Sequence, residues 1–293
     1  MTKTAVSLLG AGQMGSVLGR ELLASGHPIT VWSRNPERCE PLRQAGARVA
    51  ESPLDAVEGA DVVFVSVIDT SVTASLLTAP DVAAVLSGKD IVEFSTGFPT
   101  AANELGERIE KAGARFLVGA IMDFPSVVGS PDCLTMYSGN QAVFDDLRST
   151  LDVFGTAKYV GASPGIANVL DNGVLIEVGG VAFLEGLAGV VGEGGTVEAL
   201  KSAVPAMMRT LSTVIESVLE QVTTENYDGE DASIDTHAEL MTLNRDRLAA
   251  AGVRTDITDA MLGYLQEAQR RGLGNAELGA VYQVMRRSPS SVT

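Results

Sequence analysis

The sequence predicts an α/β fold: a doubly wound sheet in the first half, then a long interdomain helix and an all-α C-terminal domain. Up to about residue 160, short apolar runs alternate with helical segments, as in a parallel sheet covered by helices on both faces. A glycine-rich turn, GAGQMG, directly follows the first apolar run. Beyond Gly161 every predicted element is helical. The expected domains are residues 1–160 and residues 161–293.

The glycine-rich turn lies between a strand-like run, Thr4–Leu9, and a helical segment, Ser16–Ala24. Strand, GxGxxG and helix in this order are typical of the Rossmann dinucleotide-binding fold, although a glycine turn without a ligand is the alternative. The first glycine permits a tight turn, the second lets the backbone approach a pyrophosphate, and the third lets helix and strand pack closely. The N–H groups of the helix N-terminus then face the phosphates. The predicted cofactor contacts are Gly10, Ala11, Gly12, Gln13, Met14 and Gly15.

The residues that follow the second predicted strand, Pro28–Trp32, indicate which dinucleotide binds. NAD-binding proteins place an acidic residue at the end of this strand to bind the ribose diol. Here the segment after the strand is SRNPER, which has two arginines nearby and no carboxylate at the strand end. Guanidinium groups match phosphate geometry, so the pattern favours the 2′-phosphate of NADP over solvated surface charges. The predicted contacts are Ser33, Arg34, Asn35 and Arg38.

The rest of the first domain continues the alternation of strands and helices. Strands are predicted at Asp61–Val67, Asp90–Ser95, Phe116–Ala120 and Cys133–Ser138, and helical segments at Leu54–Gly59, Ser71–Leu77, Val82–Leu86 and Ala101–Ala112. Ligands of such sheets bind at the carboxyl ends of the strands. We therefore expect Val67, Ser95 and Thr96 near the cofactor, with Asp69 beside them. As polar residues at strand ends, Asp69, Ser95 and Thr96 could equally be helix caps.

A long helix, here called the spine helix, is predicted at about residues 164–192. Small or apolar side chains occur on all its faces, so it is expected to be buried all round. Its glycines (Gly173, Gly179, Gly180, Gly186 and Gly189) are expected to permit close approach of neighbouring backbones. Asp171, Asn172, Glu177 and Glu185 interrupt the apolar run, which argues against a membrane span. Four more helices are predicted: Thr196–Met208, Thr210–Val222, Ser233–Ala250 and Thr258–Arg271.

Composition excludes some classes of partner. The chain has 45% hydrophobic and 20% charged residues, as in ordinary globular proteins. Its net charge of −16 argues against nucleic-acid binding. Cys39 and Cys133 have no metal-ligand spacing, so we expect two reduced thiols, no metal and a cytoplasmic location. The N-terminus lacks the pattern of a signal peptide.

Several sequence blocks resemble the β-hydroxyacid dehydrogenase superfamily, which is 6-phosphogluconate dehydrogenase-like, and within it the imine reductases, including the reductive aminases. The blocks are GAGQMG, WSRNPER, GAIMDFPSVVGSPDCLTMYSG, GASPGIANVLDN and AAGVRTDITDAMLGYLQEAQRRGLGNAEL, and STGFPT is similar to the family's TSGTP loop. The resemblance covers nearly the whole chain. It implies NADPH-dependent reduction of an imine, or of an amine plus a ketone, by a homodimer with exchanged helical domains.

The resemblance singles out Asp171 in the spine helix. Hydroxyacid dehydrogenases of this superfamily have a lysine where Asn168 stands, and many imine reductases have an acidic residue where Asp171 stands. A carboxylate there could hold an iminium ion, or as a carboxylic acid it could donate the proton. Pairing with an arginine such as Arg209 is the structural alternative. The residue before Asp171 is Leu170, where the family often has Tyr, which bears on the range of substrates.

Further residues are candidates for the substrate pocket: Met122, Leu170, Met207, His237 and Met241. Methionines at helical spacing are also ordinary core residues, and a lone histidine is commonly a surface or capping residue. Two other functions stay open from the sequence. A hydroxyacid or semialdehyde dehydrogenase would need the lysine that Asn168 replaces, and a non-catalytic NADP-binding protein would leave Asp171 without a role.

Overall fold

The computed structural model describes residues 4–170, 173–229 and 231–286. The chain divides into unit 1, residues 1–172, and unit 2, residues 173–293. The contact-based division thus groups residues 161–170 with the first unit, whereas the sequence predicts a domain boundary at residue 161.

Unit 1 alternates strands and helices, and the predicted α/β class is confirmed. Its strands are β1 (Val6–Leu9), β2 (Ile29–Trp32), β3 (Arg48–Val49), β4 (Val62–Val65), β5 (Asp90–Glu93), β6 (Arg115–Ile121), β7 (Leu134–Gly139) and β8 (Thr156–Gly161). Its helices are α1 (Gln13–Ala24), α2 (Glu40–Gln44), α3 (Pro53–Glu58), α4 (Thr70–Leu77), α5 (Pro80–Ala83), α6 (Pro99–Lys111), α7 (Gln141–Asp146), α8 (Arg148–Leu151) and α9 (Ile166–Leu170). Short 3-10 helices lie at Pro36–Cys39 and Asp152–Phe154.

The strands form one eight-stranded sheet in the order β3-β2-β1-β4-β5-β6-β7-β8. Neighbouring strands are parallel from β3 through β6, β7 is antiparallel to β6, and β8 is parallel to β7. The chain leaves β1 towards β2 on one side and returns to β4 on the other. Open sheets bind ligands at such a switch point, outside the carboxyl ends of the strands.

Two hydrophobic cores cover the two faces of this sheet. Along β4, Val62 and Phe64 face one core while Val63 and Val65 face the other. All four are buried, which explains the near-continuous apolar run. The first core contains apolar residues of α1, α2, α7 and α8, and the second contains those of α3 to α6 and α9.

Unit 2 is helical in its described residues. Its helices are α10 (Gly173–Gly192), α11 (Val197–Thr224), α12 (Ile234–Ala250), α13 (Asp256–Arg270) and α14 (Tyr282–Met285), with a 3-10 helix at Leu278–Val281. A small core forms where α12, α13 and the C-terminal segment meet, around Ile234, Leu265 and Val281.

The sequence predicts two helices where the structure has the single helix α11. Nothing near Arg209 ends a helix, and Pro205 lies inside α11. Proline removes one main-chain hydrogen bond without stopping the helix here. Strands β3 and β8 and helices α2, α7, α8 and α14 were not predicted from the sequence. β3 has two residues, and β8 (TAKYVG) has no clear apolar run.

The predicted spine helix corresponds to α9 and α10, with Asp171 and Asn172 outside the described residues. The expectation that it is buried all round is wrong for the isolated chain: within α10 only Gly189 is buried. Added Cβ atoms at Gly173, Gly179, Gly180 and Gly186 would meet no atom within 4 Å. Only Gly189 shows the expected close approach, 2.3 Å from its Cβ position to a Leu248 methyl group. Within one chain, unit 2 does not cover the other faces of α10.

By length and composition alone, the stretch Ile166–Gly192 could cross a membrane. Core helices of soluble proteins pass the same test. Glu185 shows that one face of α10 packs against protein: its carboxylate accepts hydrogen bonds from the backbone N–H groups of Ile257 and Thr258, both at 3.1 Å. It also accepts one from the Thr258 hydroxyl. This carboxylate caps the N-terminus of α13, a role that the sequence did not reveal.

Candidate active site

The glycine-rich turn has the backbone geometry that dinucleotide binding requires. Gly10 has φ of +109°, and a Cβ there would lie 2.1 Å from the Ser66 carbonyl oxygen at the end of β4. A Cβ on Gly15 would lie 2.2 Å from the Gly10 carbonyl oxygen, so the third glycine permits close packing of α1 on the turn. A Cβ on Gly12 would meet no atom within 4 Å. The second glycine thus leaves open space where a pyrophosphate would approach.

The N-terminus of α1 faces that open space without a side-chain cap. Its N-cap is Gly12, which has no side chain to bond the first N–H groups. Among the predicted contacts, Gln13 is exposed and Met14 is half-buried against the core, while Ala11 is buried. The free N–H groups and the positive end of the helix dipole suit a phosphate. The residues therefore fit a bound dinucleotide.

Two arginines, Arg34 and Arg38, follow β2. Arg34 and Arg38 are exposed, and within the described ranges neither guanidinium group forms an ion pair or hydrogen bond. The Asn35 side-chain oxygen accepts a hydrogen bond from the Glu37 N–H at 3.1 Å and caps the 3-10 helix that carries Arg38. Its contact with a cofactor stays a prediction. Ser33 is half-buried between the strand and Arg34. The arrangement leaves two cationic groups free for an anion such as a 2′-phosphate.

The polar residues after β4 and β5 form the link between these strands. The Ser95 hydroxyl accepts from the Val67 N–H at 3.2 Å and bonds the Thr73 hydroxyl at 3.0 Å. Asp69 is the N-cap of α4, where its carboxylate accepts from the Val72 N–H at 3.0 Å. The capping alternative for Asp69 is thus the one found. Thr96 is exposed at the same edge, and the contacts of Val67, Ser95 and Thr96 with a cofactor stay predictions.

Helix α9 is attached to the sheet of unit 1. The Ser138 hydroxyl on β7 donates to the Pro164 carbonyl at 2.6 Å and accepts from the Ala167 N–H at 2.9 Å. The Asn168 amide donates to the Gly97 carbonyl at 2.9 Å. The side chain at the position of the superfamily's lysine therefore holds the loop after β5. Asp171, the predicted catalytic residue, lies outside the described residues.

The comparisons with known proteins agree with this geometry. Residues 5–162 match the family model described as the NAD binding domain of 6-phosphogluconate dehydrogenase. Residues 165–287 match the NADPH-dependent reductive aminase-like C-terminal domain. The solved structure of an imine reductase from Pseudomonas sp. is 32% identical in sequence, with a TM-score of 0.91, over 97% of this chain and 100% of that chain. The chain belongs to the imine reductase family.

Two further relatives support the assignment. An imine reductase from Myxococcus stipitatus in complex with NADP+ is 29% identical, with a TM-score of 0.88, over 96% of this chain and all of that one. The NADPH-dependent reductive aminase of Aspergillus oryzae is 25% identical over 95% of this chain and 96% of its own length. As an imine reductase, this chain is an NADP-dependent oxidoreductase acting on C=N bonds. The predicted family, fold class, cofactor and enzyme class are confirmed.

The predicted pocket residues of this imine reductase are divided between the units. In unit 1, Met122 packs against the core and Leu170 is partly exposed at the end of α9. In unit 2, Met207 is exposed on α11, His237 is half-buried on α12, and Met241 packs against the small core. Their roles in a pocket stay predictions.

Three exposed apolar side chains at the carboxyl edge of the sheet were missed. Ile68 follows β4, Phe98 follows β5 and Phe124 follows β6, and their exposed fractions are 79%, 81% and 63%. Phe98 is also the N-cap of α6 and provides no capping hydrogen bond. Large apolar groups at a ligand-binding edge are typical of pocket walls. The signal was present in the sequence, since Phe98 stands where the TSGTP loop has a threonine.

Proposed function

We propose that this protein reduces imines and iminium ions with NADPH, and that Asp171 faces the substrate nitrogen. The observation that supports this best is the hydrogen bond from Asn168 to the Gly97 carbonyl. An alcohol dehydrogenase of this superfamily would need a cationic lysine at this position to handle the alcohol proton. Here the position holds a neutral amide that is already bonded to the loop after β5. By sequence, Asp171 is then the acid available for the reacting nitrogen.

The charge of an acid suits a C=N bond. When bound, the reduced nicotinamide supplies a hydride to the substrate carbon. The carbon of a C=N bond accepts the hydride readily when its nitrogen is protonated and positively charged, whereas a carbonyl oxygen develops negative charge as its carbon accepts the hydride. An ionised Asp171 would attract and orient an iminium ion, and a protonated Asp171 would donate the proton to a neutral imine. Either role favours imines over ketones.

The substitutions Asp171→Asn and Asp171→Ala test this role. We expect kcat/KM for a cyclic imine to fall about 10²-fold or more in both, because a positioned acid or charge contributes on that scale. The dissociation constant of NADPH, measured by fluorescence titration, should change little. Asp171→Glu is the matched control that keeps the acid. Full imine reduction by Asp171→Ala would remove the assigned role.

A substrate panel separates the alternatives. NADPH consumption should occur with cyclic imines and, if the protein also promotes condensation, with amine–ketone pairs. Oxidation of hydroxy acids with NADP+ would instead indicate a hydroxyacid dehydrogenase. Tight NADPH binding with no turnover of any imine or ketone would indicate a non-catalytic binding protein.

We also propose a homodimer in which the second copy covers α10 and α11. Apolar side chains are exposed along both helices, including Val174, Val181 and Leu184 on α10 and Leu211 and Leu219 on α11. A continuous apolar surface of this length is not stable in water for a monomer, and a symmetric partner would bury it. Light scattering on purified protein without detergent should give twice the chain mass. A monodisperse monomer, or a requirement for detergent, would contradict the proposal.

A cytoplasmic location completes the proposal. Cys39 and Cys133 are free thiols, each fully buried in the core of unit 1. Burial raises the pKa of both thiols, so both favour the inert protonated form. Such thiols suit a reducing compartment, and cell fractionation tests the location.

A further inference from the structure

Glu93, the last residue of β5, has a carboxyl group that no predicted step uses. It is fully buried, and within the described part of the chain neither of its carboxyl oxygens has a hydrogen-bond partner. The neighbouring Thr70 hydroxyl is buried and without a partner as well. Burial raises the pKa of the Glu93 carboxyl to about 7, against a smaller lowering by the nearby hydroxyls of Thr73 and Thr70. A buried carboxyl group without a hydrogen-bond partner requires an explanation.

The residues around Glu93 extend to the carboxyl edge of the sheet, where the cofactor is expected to bind. We call Thr70, Thr73, Glu93 and Ser95 the Glu93 cluster. Thr73 bonds Ser95, and Ser95 accepts from the Val67 N–H after β4. The cluster therefore ties the ends of two strands to the first turn of α4.

The loop after β5 lies directly on this cluster. The Thr70 N–H donates to the Thr96 carbonyl at 3.1 Å. A Cβ on Gly97 would lie 2.1 Å from the Thr70 hydroxyl oxygen, so the loop backbone is pressed onto that side chain. The Gly97 carbonyl in turn accepts the Asn168 amide. The two threonines that surround Glu93 thus contact the loop Ser95–Gly97, and the loop in turn contacts helix α9.

We propose that Glu93 is a positioning residue for the nicotinamide half of the cofactor: held as an uncharged carboxylic acid, it fixes the loop Ser95–Gly97 and the first turn of α4. The uncharged acid fits among three hydroxyl groups without a counter-ion. Once ionised, the carboxylate requires solvation that this buried site does not provide. It would draw the Thr70 and Thr73 hydroxyls from their positions or admit water, and either change moves the loop. The loop should therefore be in place below about pH 7 and displaced above it.

The charged groups around Glu93 do not stabilise its ionised form. Asp69, at the N-cap of α4, is the charged group that acts on Glu93, and its field raises the pKa further. The hydroxyls of Thr70 and Thr73 come from α4 and that of Ser95 from the loop. The neighbouring strands present Val65 and Val118, which carry no charge. Among the described residues around Glu93, no cation stabilises its ionised form.

NADPH affinity as a function of pH tests the proposal without any imine, so the result does not depend on the role of Asp171. In wild-type protein, the dissociation constant of NADPH should rise about three- to tenfold between pH 7 and pH 9. The 2′-phosphate is already ionised in this window, since such groups titrate near pH 6. Glu93→Gln, which cannot ionise, should bind NADPH with an affinity that is constant over the same window. Glu110→Gln, on the exposed face of α6, is the control and should follow the wild type.

Stability of the free protein gives a second measurement. The unfolded chain releases the Glu93 proton at the ordinary carboxyl pKa of about 4.5, and the folded chain releases it near 7. Wild-type stability should therefore fall relative to Glu93→Gln as pH rises from about 4.5 to 7, and the difference should then stay constant. Glu93→Leu is a second variant that keeps the site uncharged in case Gln does not fold. It should show no pH dependence of NADPH binding either, but weaker binding throughout. The same pH dependence of binding in wild type and both variants would overturn the proposal.

Discussion

Units 1 and 2 differ in how completely each buries its own apolar residues. In unit 1, the strands β1, β4 and β5 are buried along their whole length, and two cores cover both faces of the sheet. In unit 2, the core is limited to one end, and each of the long helices α10 and α11 has a single buried residue. Unit 1 therefore buries its apolar residues as a complete domain does, whereas helices α10 and α11 of unit 2 leave apolar side chains exposed.

Because of this difference, substitutions in units 1 and 2 are expected to affect different properties of the protein. The predicted cofactor site depends on backbone geometry inside unit 1. An added Cβ atom at Gly10 there would overlap the Ser66 carbonyl group. The apolar side chains of α10 and α11 are exposed in the single chain, and the proposed homodimer would cover them. Substitutions at the cofactor site of unit 1 should therefore act through folding and NADPH binding, and those on the exposed apolar faces of α10 and α11 through association.

The largest effect is expected for Gly10→Ala. The new Cβ would overlap the Ser66 carbonyl at 2.1 Å, and the residue would be held at φ of +109°. Backbone strain and overpacking together should cost about 3–5 kcal/mol of folding free energy. Chemical denaturation monitored by circular dichroism measures the loss.

Gly12→Ala is the matched control for Gly10→Ala. Its Cβ would meet no protein atom within 4 Å, so the free energy of unfolding should stay close to wild type. It should nevertheless weaken NADPH binding, because the methyl group occupies the space for the pyrophosphate. If both variants lost stability equally, the separate roles given to the two glycines would be wrong.

The next largest effect is expected for a substitution on the exposed apolar face of α10 in unit 2. Val181 on α10 is 52% exposed in the single chain, and Val181→Asp would place two carboxylates in the proposed dimer interface. Burial of unpaired charge costs several kcal/mol, so the dimer should dissociate. Sedimentation velocity measures the change in mass. Ser75→Asp, at an exposed site of unit 1, should leave the mass unchanged. A dimer that survives Val181→Asp would place the interface elsewhere.

The sequence predicted unit 1 better than unit 2 for a physical reason. A buried parallel strand such as β4 needs a continuous apolar run, and the GxGxxG turn needs its glycines, so both leave local patterns. The two-residue strand β3 is held by its neighbour β2, and no local pattern marks it. For α10, the apolar composition predicted burial on all faces, whereas in the single chain only Gly189 is buried. Composition alone does not say whether a partner chain covers the rest, and the proposed homodimer addresses that point.

The candidate site was predictable to a similar, limited degree. Arg34 and Arg38 were predicted as cofactor contacts because a missing acid and two nearby cations form a local signal. Glu93 was missed because one glutamate at a strand end is ordinary in a sequence, and only the fold shows that it is buried among hydroxyls. Asn35 and Asp69 cap helices, which the sequence did not distinguish from a contact with the cofactor.

A smaller effect is expected for a substitution that tests why the protein would bind NADPH rather than NADH. Arg34→Ala removes one of the two free guanidinium groups after β2. A hydrogen bond to a charged group is worth about 1.5–3 kcal/mol, so NADPH should bind roughly 10- to 100-fold more weakly. NADH, which lacks the 2′-phosphate, should bind with nearly unchanged affinity. Arg20→Ala, an exposed arginine on α1, is the control. An equal loss for both cofactors would mean that Arg34 contacts something other than the 2′-phosphate.

The smallest effect concerns the contact between Glu185 of α10 and the N-terminus of α13, within unit 2. Glu185→Ala removes the carboxylate that accepts the Ile257 and Thr258 N–H groups. Loss of a helix cap costs about 1–2 kcal/mol, which thermal unfolding would detect as a small decrease in Tm. Glu177→Ala, on an exposed part of α10, should change the Tm less. The oligomeric state should stay the same in both, because the cap lies within one chain. A Glu185→Ala protein that instead dissociates would show that the cap orders the surface on which the partner rests, and the contrast between a packed and an uncovered face of α10 would then fail.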